Sequence, residues 1–277
     1  MYKIGLSSCG KKPYTKLFEE FSTNGITEME ISEDYYDEFD YREIYRLSEE
    51  SGVNLWSLHL PFWYNDISSC DKEQRENALK IYFEIIKKGS DIGIDKFIVH
   101  PSFEPVMGDR NEHLKHSRDS LSKLADICER SGSVICAEDL PRSCIGHSAE
   151  EMKFLTSDDN RIKICFDTNH ITTEKPEDII RVLADKIVTL HVSDFDFIDE
   201  RHWLPGEGQI NWNAVFEALK QIEYNGVFMY EISYECPETI TRGRKLTASD
   251  FTRNANELFN GKEFTFPWII QKRKEER

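Results

Sequence analysis

Seven of the eight predicted β-strands in this 277-residue chain end at or next to an acid or a histidine. The sequence contains 8 His and 51 Asp and Glu residues, about one position in five, so composition alone does not explain this regularity. In a parallel barrel the carboxyl ends of all strands meet on one face, where we expect these side chains to converge. The strand ends are Glu30, His59, His100, Glu138, Asp167, His191 and Glu231.

Four of these residues, on four consecutive strands, have the composition of a metal site. Glu138, Asp167, His191 and Glu231 offer three carboxylates and one imidazole. Like charges gathered away from water require a counter-charge, because desolvating them is costly. Any one of these acids could instead be a helix cap or an ion-pair partner. As a set, they predict one divalent ion, with Mn²⁺ preferred and Mg²⁺, Co²⁺ and Zn²⁺ as alternatives.

The elements that must position these residues alternate along the chain without a linker or a low-complexity segment. Amphipathic helical patterns separate short β-rich runs and cover residues 16–21, 42–51, 73–93, 114–132, 176–186 and 212–222. Glycines 52, 93 and 132 each follow a helical pattern and precede a strand, as C-terminal caps do. The predicted strands are residues 2–6, 26–31, 54–60, 96–100, 133–138, 163–167, 187–192 and 226–231.

Eight strands alternating with helices predict an α/β fold, a single (β/α)8 TIM barrel over residues 1–277. An open doubly wound sheet is the alternative, but the first strand lacks a GxGxxG nucleotide-binding turn. Residues 263–277 are predicted to be a C-terminal tail. Its apolar part, EFTFPWIIQ, is expected to pack on the barrel or on a neighbouring subunit, so a homodimer is an open expectation.

The charge, apolar content and cysteine pattern of the sequence indicate which kinds of partner and which cellular compartment to expect. The formal net charge of −16 disfavours a nucleic-acid partner, because phosphate backbones are repelled. No apolar run approaches the roughly 18 residues of a membrane span, so no membrane partner is expected. The amino terminus shows no secretory pattern, and the seven cysteines form no CxxC pair. We therefore expect a cytoplasmic protein with reduced thiols.

Several motifs make the sequence resemble the xylose isomerase-like TIM barrels, which include sugar and sugar-phosphate isomerases and epimerases as well as apurinic/apyrimidinic endonucleases. The resemblance extends from the first strand to the eighth. It implies a metal site at Glu138, Asp167, His191 and Glu231, and a substrate contact at His170. The motifs are SLHLPF (57–62), FIVHPS (97–102), AEDLPR (137–142), FDTNH (166–170), LHVSD (190–194), RHWLPGEGQINW (201–212) and YE (230–231).

For the sugar branch, the resemblance implies proton abstraction next to a carbonyl through an enediolate. Glu138 and Glu231 would be the catalytic pair, each binding the metal through one oxygen and using the other as base or acid. A small-molecule sugar or sugar phosphate would be the substrate. Proton return by the same carboxylate to the adjacent carbon gives isomerisation, and use of opposite faces gives epimerisation; the sequence does not distinguish them.

Other residues are predicted to contact the substrate. The loop after the seventh strand brings a basic residue over the substrate in this family, and Arg201 and His202 are the candidates. PGEG in the same loop is, on composition, a tight turn before a helix. Trp63, next to Tyr64, could provide an apolar surface for a sugar, although loop packing explains it equally well. The predicted substrate-binding set is His59, Trp63, His100, His170, Arg201 and His202.

Three alternatives stay open. A metal-dependent dehydratase or lyase could act on a polyol or keto acid with the same ligands. An endonuclease-like phosphodiesterase with a multi-zinc site would use His59, His100, His170 and His202 as further ligands, with Glu200 where that branch has an aspartate. The negative net charge and the Asp-Leu-Pro-Arg sequence after Glu138 disfavour this reading. A barrel that has lost its chemistry and only binds a partner is the third.

Overall fold

The computed structural model describes residues 2–8, 13–32, 40–232, 234, 235, 237, 239–262, 264 and 269–272. Strands recur at the spacing that the sequence predicts, and most bounds differ from the prediction by one or two residues. The strands of the main sheet are β1 Lys3–Ser7, β2 Glu28–Ser32, β3 Asn54–His59, β4 Lys96–Val99, β5 Val134–Glu138, β6 Ile162–Asp167, β7 Ile187–His191 and β8 Val227–Tyr230.

Each strand is followed by a helix on the outside of the sheet. Asp40, Asp71 and Asp109 cap three helices by accepting backbone N–H groups of the first turn. Gly52 ends one helix in the left-handed conformation that glycine adopts without strain. The helices are α1 Tyr14–Thr23, α2 Tyr41–Ser51, α3 Lys72–Asp91, α4 Arg110–Ser131, α5 Ala149–Thr156, α6 Pro176–Val182, α7 Trp212–Gln221 and α8 Ala248–Phe259.

Two helices, α5 and α8, are missing from the sequence prediction. Helix α5 has 8 residues and buries only Met152 and Leu155 as large apolar side chains, so its helical pattern in the sequence is weak. Helix α8 is rich in polar residues, yet it buries Phe251, Ala255 and Leu258 on one face. Its start is fixed by a capping box between Thr247 and Asp250, whose backbone and side-chain groups bond reciprocally.

The parallel sheet closes on itself. Its strand order is β7-β6-β5-β4-β3-β2-β1-β8. Between the two ends of this order, Val192 N–H donates to the Met229 carbonyl at 2.8 Å, and Glu231 N–H donates to the Val192 carbonyl at 3.2 Å. This pairing joins β7 to β8 and confirms the single (β/α)8 barrel; the open doubly wound sheet is excluded.

The barrel interior is filled in layers beneath the carboxyl ends of the strands. Trp56 Nε1–H donates to Thr189 Oγ1 at 3.0 Å across the lower interior. Ile98, Cys136 and Cys165 form a small apolar cluster. Each of these three residues lies two positions before a polar strand end, so it faces the same side of the sheet. The apolar layer therefore forms the floor of the polar site above it.

The chain continues beyond α8 into a short ribbon. β10 Ile269–Lys272 pairs antiparallel with β9 Ile240–Arg242, and Phe264 packs against the core. The remainder of the predicted tail, residues 263, 265–268 and 273–277, lies outside the described residues. No helix in the described part of the chain is long and apolar enough to cross a membrane.

Candidate metal centre and active site

The four predicted metal ligands converge at the carboxyl end of the barrel. Glu138, Asp167 and His191 are the last residues of β5, β6 and β7, and Glu231 directly follows β8. One ligand atom from each of the four lies within 4.8 Å of the others. His191 Nδ1 is 2.7 Å from Glu138 Oε1 and 3.3 Å from Glu231 Oε2. Four consecutive strands thus direct their donors to one point.

The donor set fits a cation better than it fits a closed hydrogen-bond network. Asp167 Oδ1 accepts the Asn169 N–H at 2.7 Å. Its Oδ2 is buried without a hydrogen-bond partner among the described residues. Burial raises the pKa of Asp167 to about 7. A buried carboxylate oxygen without a partner is unfavourable, and a divalent ion in this cluster would supply the missing partner.

Glu138 is the most heavily engaged of the four side chains. Its Oε1 faces His191, while its Oε2 lies 3.1 Å from Nε2 of both His59 and His100. Burial alone would raise the pKa of Glu138, but His191, His100 and His59 together hold it well below its usual range. Both oxygens of Glu138 thus have imidazole partners in this structure, and its role in proton transfer stays a prediction.

The second predicted catalytic glutamate is more open. The side chain of Glu231 is 17% exposed, against 1% for Glu138. Burial would raise the pKa of Glu231, but the His191 imidazole outweighs it and lowers that pKa. Glu231 is thus the more accessible of the two glutamates.

Three histidines around the centre share one orientation. Nδ1 of His59, His170 and His202 lies 2.9, 2.7 and 3.0 Å from a backbone carbonyl oxygen, respectively. A carbonyl oxygen only accepts, so each Nδ1 carries a proton and each Nε2 is turned to a carboxylate. Metal-binding histidines are commonly held in this way.

His170 and His202 form a second group with Glu200 in the loop after β7. Glu200 Oε1 is 2.8 Å from His202 Nε2 and 3.8 Å from His170 Nε2. Burial would lower the pKa of His202, but Glu200 and the nearby acids raise it to about 9. Ligand atoms of these three residues, and separately those of His59, His100 and Glu138, lie close enough to hold an ion.

The last two predicted substrate contacts are Arg201 and Trp63. Arg201 Nε donates to Asp196 Oδ2 at 3.0 Å, and the Arg201 backbone N–H donates to Asn169 Oδ1 at 2.8 Å. Trp63 stands at the rim of the barrel with 58% of its surface exposed. The structure thus gathers the four histidines of the predicted set around the acids, whereas the Arg201 side chain pairs with Asp196 and Trp63 is largely exposed.

Glu30 is a further residue of the site that the strand-end pattern includes but for which it predicts no role. Glu30 Oε2 lies 3.0 Å from His191 Nε2 and accepts the Ser57 hydroxyl at 2.7 Å. Glu30 and His191 are both fully buried. The strand-end pattern carried the signal, but it could not show which acid faces the outer nitrogen of His191.

Comparison with known proteins identifies the family to which this chain belongs. The sequence matches the family described as Xylose isomerase-like TIM barrel over residues 18–253. This chain belongs to that family. A crystal structure of a D-tagatose 3-epimerase-like protein, 23% identical to this xylose isomerase-like barrel, superposes with a TM-score of 0.80 and covers 93% of this chain and 97% of that chain. At that identity the likeness shows the fold.

The relatives of this xylose isomerase-like barrel include an uncharacterised protein, a sugar epimerase and a probable endonuclease. An uncharacterised protein of Methanocaldococcus jannaschii is 27% identical over 184 residues, 63% of each chain and thus less than two thirds of that relative. D-psicose 3-epimerase of Ruminiclostridium cellulolyticum is 26% identical over 237 residues, 79% of this chain and 78% of that enzyme. A probable endonuclease 4 of Finegoldia magna is 25% identical over 228 residues, 74% of this chain and 77% of that protein.

Proposed function

We propose that this protein is a divalent-metal-dependent sugar epimerase or isomerase that moves a proton on a carbon next to a carbonyl. The observation that carries the proposal is the convergence of Glu138 and Glu231 with Asp167 and His191, whose ligand atoms lie within 4.8 Å of one another. The D-psicose 3-epimerase relative, aligned over 79% of this chain, supports a sugar as the substrate.

The chemistry needs an acid–base pair and stabilisation of negative charge. A divalent ion bound by the four ligands would polarise the substrate carbonyl and stabilise the enediolate. Glu231, which is open to the mouth of the barrel, is placed to take the proton from the substrate carbon. Glu138 Oε2 would contact the substrate only after its interaction with His59 or His100 is broken. These two imidazoles would therefore control whether Glu138 takes part in proton transfer.

The surrounding imidazoles have complementary tasks. Burial lowers the pKa of His100 below its usual value despite the neighbouring Glu138, so its imidazole is neutral at pH 7. A neutral His100 can replace its contact with Glu138 by a hydrogen bond to a substrate hydroxyl. His170 and His202 are fixed by their backbone contacts and turn Nε2 to Glu200, so each would hold a substrate oxygen by exchanging this carboxylate for it. Substrate orientation thus falls to residues that are themselves held rigidly.

Exchange of solvent deuterium into the substrate tests the glutamate pair. With Mn²⁺ and D-psicose, D-fructose or D-tagatose in deuterated water, Glu138→Gln and Glu231→Gln should each reduce exchange by about 100-fold or more, because a general acid or base is lost. Proton NMR of the sugar measures the exchange. Glu76→Gln, at an exposed helix position, is the matched control and should exchange at the wild-type rate. Retained exchange in either site variant removes that residue from the pair.

A second candidate is a multi-metal phosphodiesterase. The observation in its favour is the shared orientation of His59, His170 and His202, which creates two further groups of potential ligands beside the central one. The net charge of −16 opposes it, since an enzyme that binds DNA should attract phosphates.

Metal content and DNA incision separate the two functions. The sugar enzyme should bind one tightly held ion per chain and leave an abasic-site duplex intact. The phosphodiesterase should bind more than one ion per chain and cut the duplex at the abasic site, and both properties should be lost in His202→Asn. Elemental analysis of the dialysed protein and a gel assay of the labelled duplex make these measurements. Cutting at the abasic site by the wild-type protein would reverse our preference.

A further inference from the structure

An arginine lies beside the group of potential ligands formed by His170, Glu200 and His202. Arg142 follows the end of β5 by four residues and reaches the loop after β7. Its Nη1 donates to Glu200 Oε2 at 2.9 Å, while Glu200 Oε1 lies 2.8 Å from His202 Nε2. One carboxylate thus has a guanidinium on one oxygen and an imidazole on the other.

The position of Arg142 does not depend on Glu200 alone. Arg142 Nε donates to Glu104 Oε2 at 2.9 Å, and its Nη1 lies 3.2 Å from Asp199 Oδ1. The backbone φ of Arg142 is 53°, a left-handed conformation that is unfavourable for a residue with a Cβ. The loops after β4 and β5 therefore fix the guanidinium beside Glu200.

The guanidinium is the counter-charge for three acids. Glu104, Asp199 and Glu200 all lie within 3.2 Å of Arg142. Like charges that are partly withdrawn from water need a counter-charge, and a bound cation is one way to supply it. Arg142 supplies it from within the chain.

The same guanidinium opposes a second metal ion. Two histidines and a glutamate are the ligands of many zinc sites, and the ligand atoms of His170, Glu200 and His202 lie close enough to hold an ion. Such an ion would share the Glu200 carboxylate with Arg142. The side chain of Arg142 is 46% exposed, so water weakens the repulsion, but a double charge on the same carboxylate is still disfavoured.

We propose that Arg142 prevents a second divalent ion from binding at His170, Glu200 and His202, so that the protein holds one ion at its four-ligand centre. Glu200 then stays paired with Arg142, and the two imidazoles stay available for substrate oxygens. The inference rests on the proposed function, since it takes the four-ligand centre to be the site of the resident ion.

Counting bound ions after the charge is removed tests the proposal. With Zn²⁺ as the probe, Arg142→Gln should bind one more ion per chain than the wild type, and the added ion should be lost in the double variant Arg142→Gln, His202→Asn. Arg142→Lys keeps the positive charge and should bind as many ions as the wild type. Arg142→Asn is a second neutral variant, because asparagine tolerates the left-handed backbone. Elemental analysis of the dialysed protein gives the count.

Arg161→Gln is the matched control. Arg161 also contacts three carboxylates, those of Asp126, Glu129 and Asp159, at 2.8, 2.9 and 2.7 Å. It directly precedes β6, whereas the histidines lie at the carboxyl ends of the strands. Its replacement removes the counter-charge of three acids away from the histidines, so this variant should bind as many ions as the wild type.

The outcomes separate this inference from the proposed function. Equal ion counts in the wild type and in both neutral Arg142 variants overturn the inference and leave the epimerase to the deuterium-exchange assay. A wild-type ion that is lost in His202→Asn also overturns it, because the group then binds a metal beside Arg142. A gain in Arg161→Gln as large as that in Arg142→Gln overturns it as well. A gain confined to the neutral Arg142 variants, without deuterium exchange into any sugar, supports the inference and contradicts the epimerase.

Discussion

At the scale of single residues, the geometry around His191 connects the second strand to the candidate metal centre. Nδ1 of His191 faces Glu138 and Glu231, and its Nε2 lies 3.0 Å from Glu30 on β2. An acid on the outer nitrogen fixes the ring and makes the inner nitrogen a better ligand. Ser57 holds Glu30 in turn, at 2.7 Å. Glu30 is therefore a positioning residue for this centre.

Replacing Glu30 should weaken metal binding without removing a ligand. We expect Glu30→Gln to lower the affinity for Mn²⁺ by about 10-fold to 100-fold, the effect typical of losing a carboxylate behind a metal-binding histidine. Calorimetric titration of the metal-free protein measures it. Glu28→Gln, in the same strand but paired with Lys3 at 2.8 Å, is the matched control and should bind as the wild type does. Equal loss in both variants would mean that β2 acts only through general stability.

The same residues show the limit of prediction from sequence. Polar ends of apolar strands pointed to Glu138, Asp167, His191 and Glu231, because one face of a barrel collects every such end. The roles of Glu30 and of the paired oxygens of Glu138 depend on distances across the barrel. Glu30 and His191 are 161 positions apart in the chain, and no local pattern encodes their contact.

At the scale of elements, the loop after β7 is held by contacts that a turn prediction cannot supply. The sequence predicted a tight turn at PGEG. In the structure Asp194, just after β7, accepts N–H groups from Gly206 at 2.6 Å and from Ile210 at 3.1 Å. A Cβ on Gly208 would lie 2.2 Å from Asp194 Oδ1, so this position requires glycine. The turn is thus held by several backbone hydrogen bonds to the buried carboxylate of Asp194.

A buried ion pair fixes the same loop to the next one. Both side chains of the Glu207–Arg242 pair are fully buried and lie 2.7 Å apart, which joins the PGEG turn to β9. The candidate residues Glu200, Arg201 and His202 precede this turn. Their positions therefore depend on a long-range contact, whereas the eight barrel strands and six helices followed from apolar periodicity, which is local; β9 and β10, which the sequence did not predict, pair through a long-range contact as well.

At the scale of the whole molecule, an acidic protein concentrates its buried charge at one end of a closed barrel. The net charge is −16, and all seven polar strand ends belong to one connected cluster, Glu30, His59, His100, Glu138, Asp167, His191 and Glu231. The apolar floor below it keeps water out. The free energy of unfolding should therefore depend on the metal ion or the protons that neutralise the buried carboxylates at this end of the barrel.

Removal of the metal should destabilise the whole chain, and more at high pH than at low pH. An ion that binds only the folded state at 100 times its dissociation constant adds about 2.7 kcal/mol, so chelation should lower Tm by roughly 5 °C or more. In the metal-free fold, burial raises the pKa of Asp167 to about 7, and the surrounding acids, despite burial, raise that of His202 to about 9.

Both groups hold their protons more tightly when folded than when unfolded, so their protonation stabilises the metal-free fold at low pH. This stabilisation is lost as pH rises through about 7 for Asp167 and about 9 for His202. The difference in Tm between metal-loaded and chelated protein should therefore be larger at pH 8.5 than at pH 6. Scanning calorimetry with Mn²⁺ or with a chelator at the two pH values measures it. A difference that stays constant or shrinks with rising pH would show that these carboxylates and imidazoles do not share a bound cation.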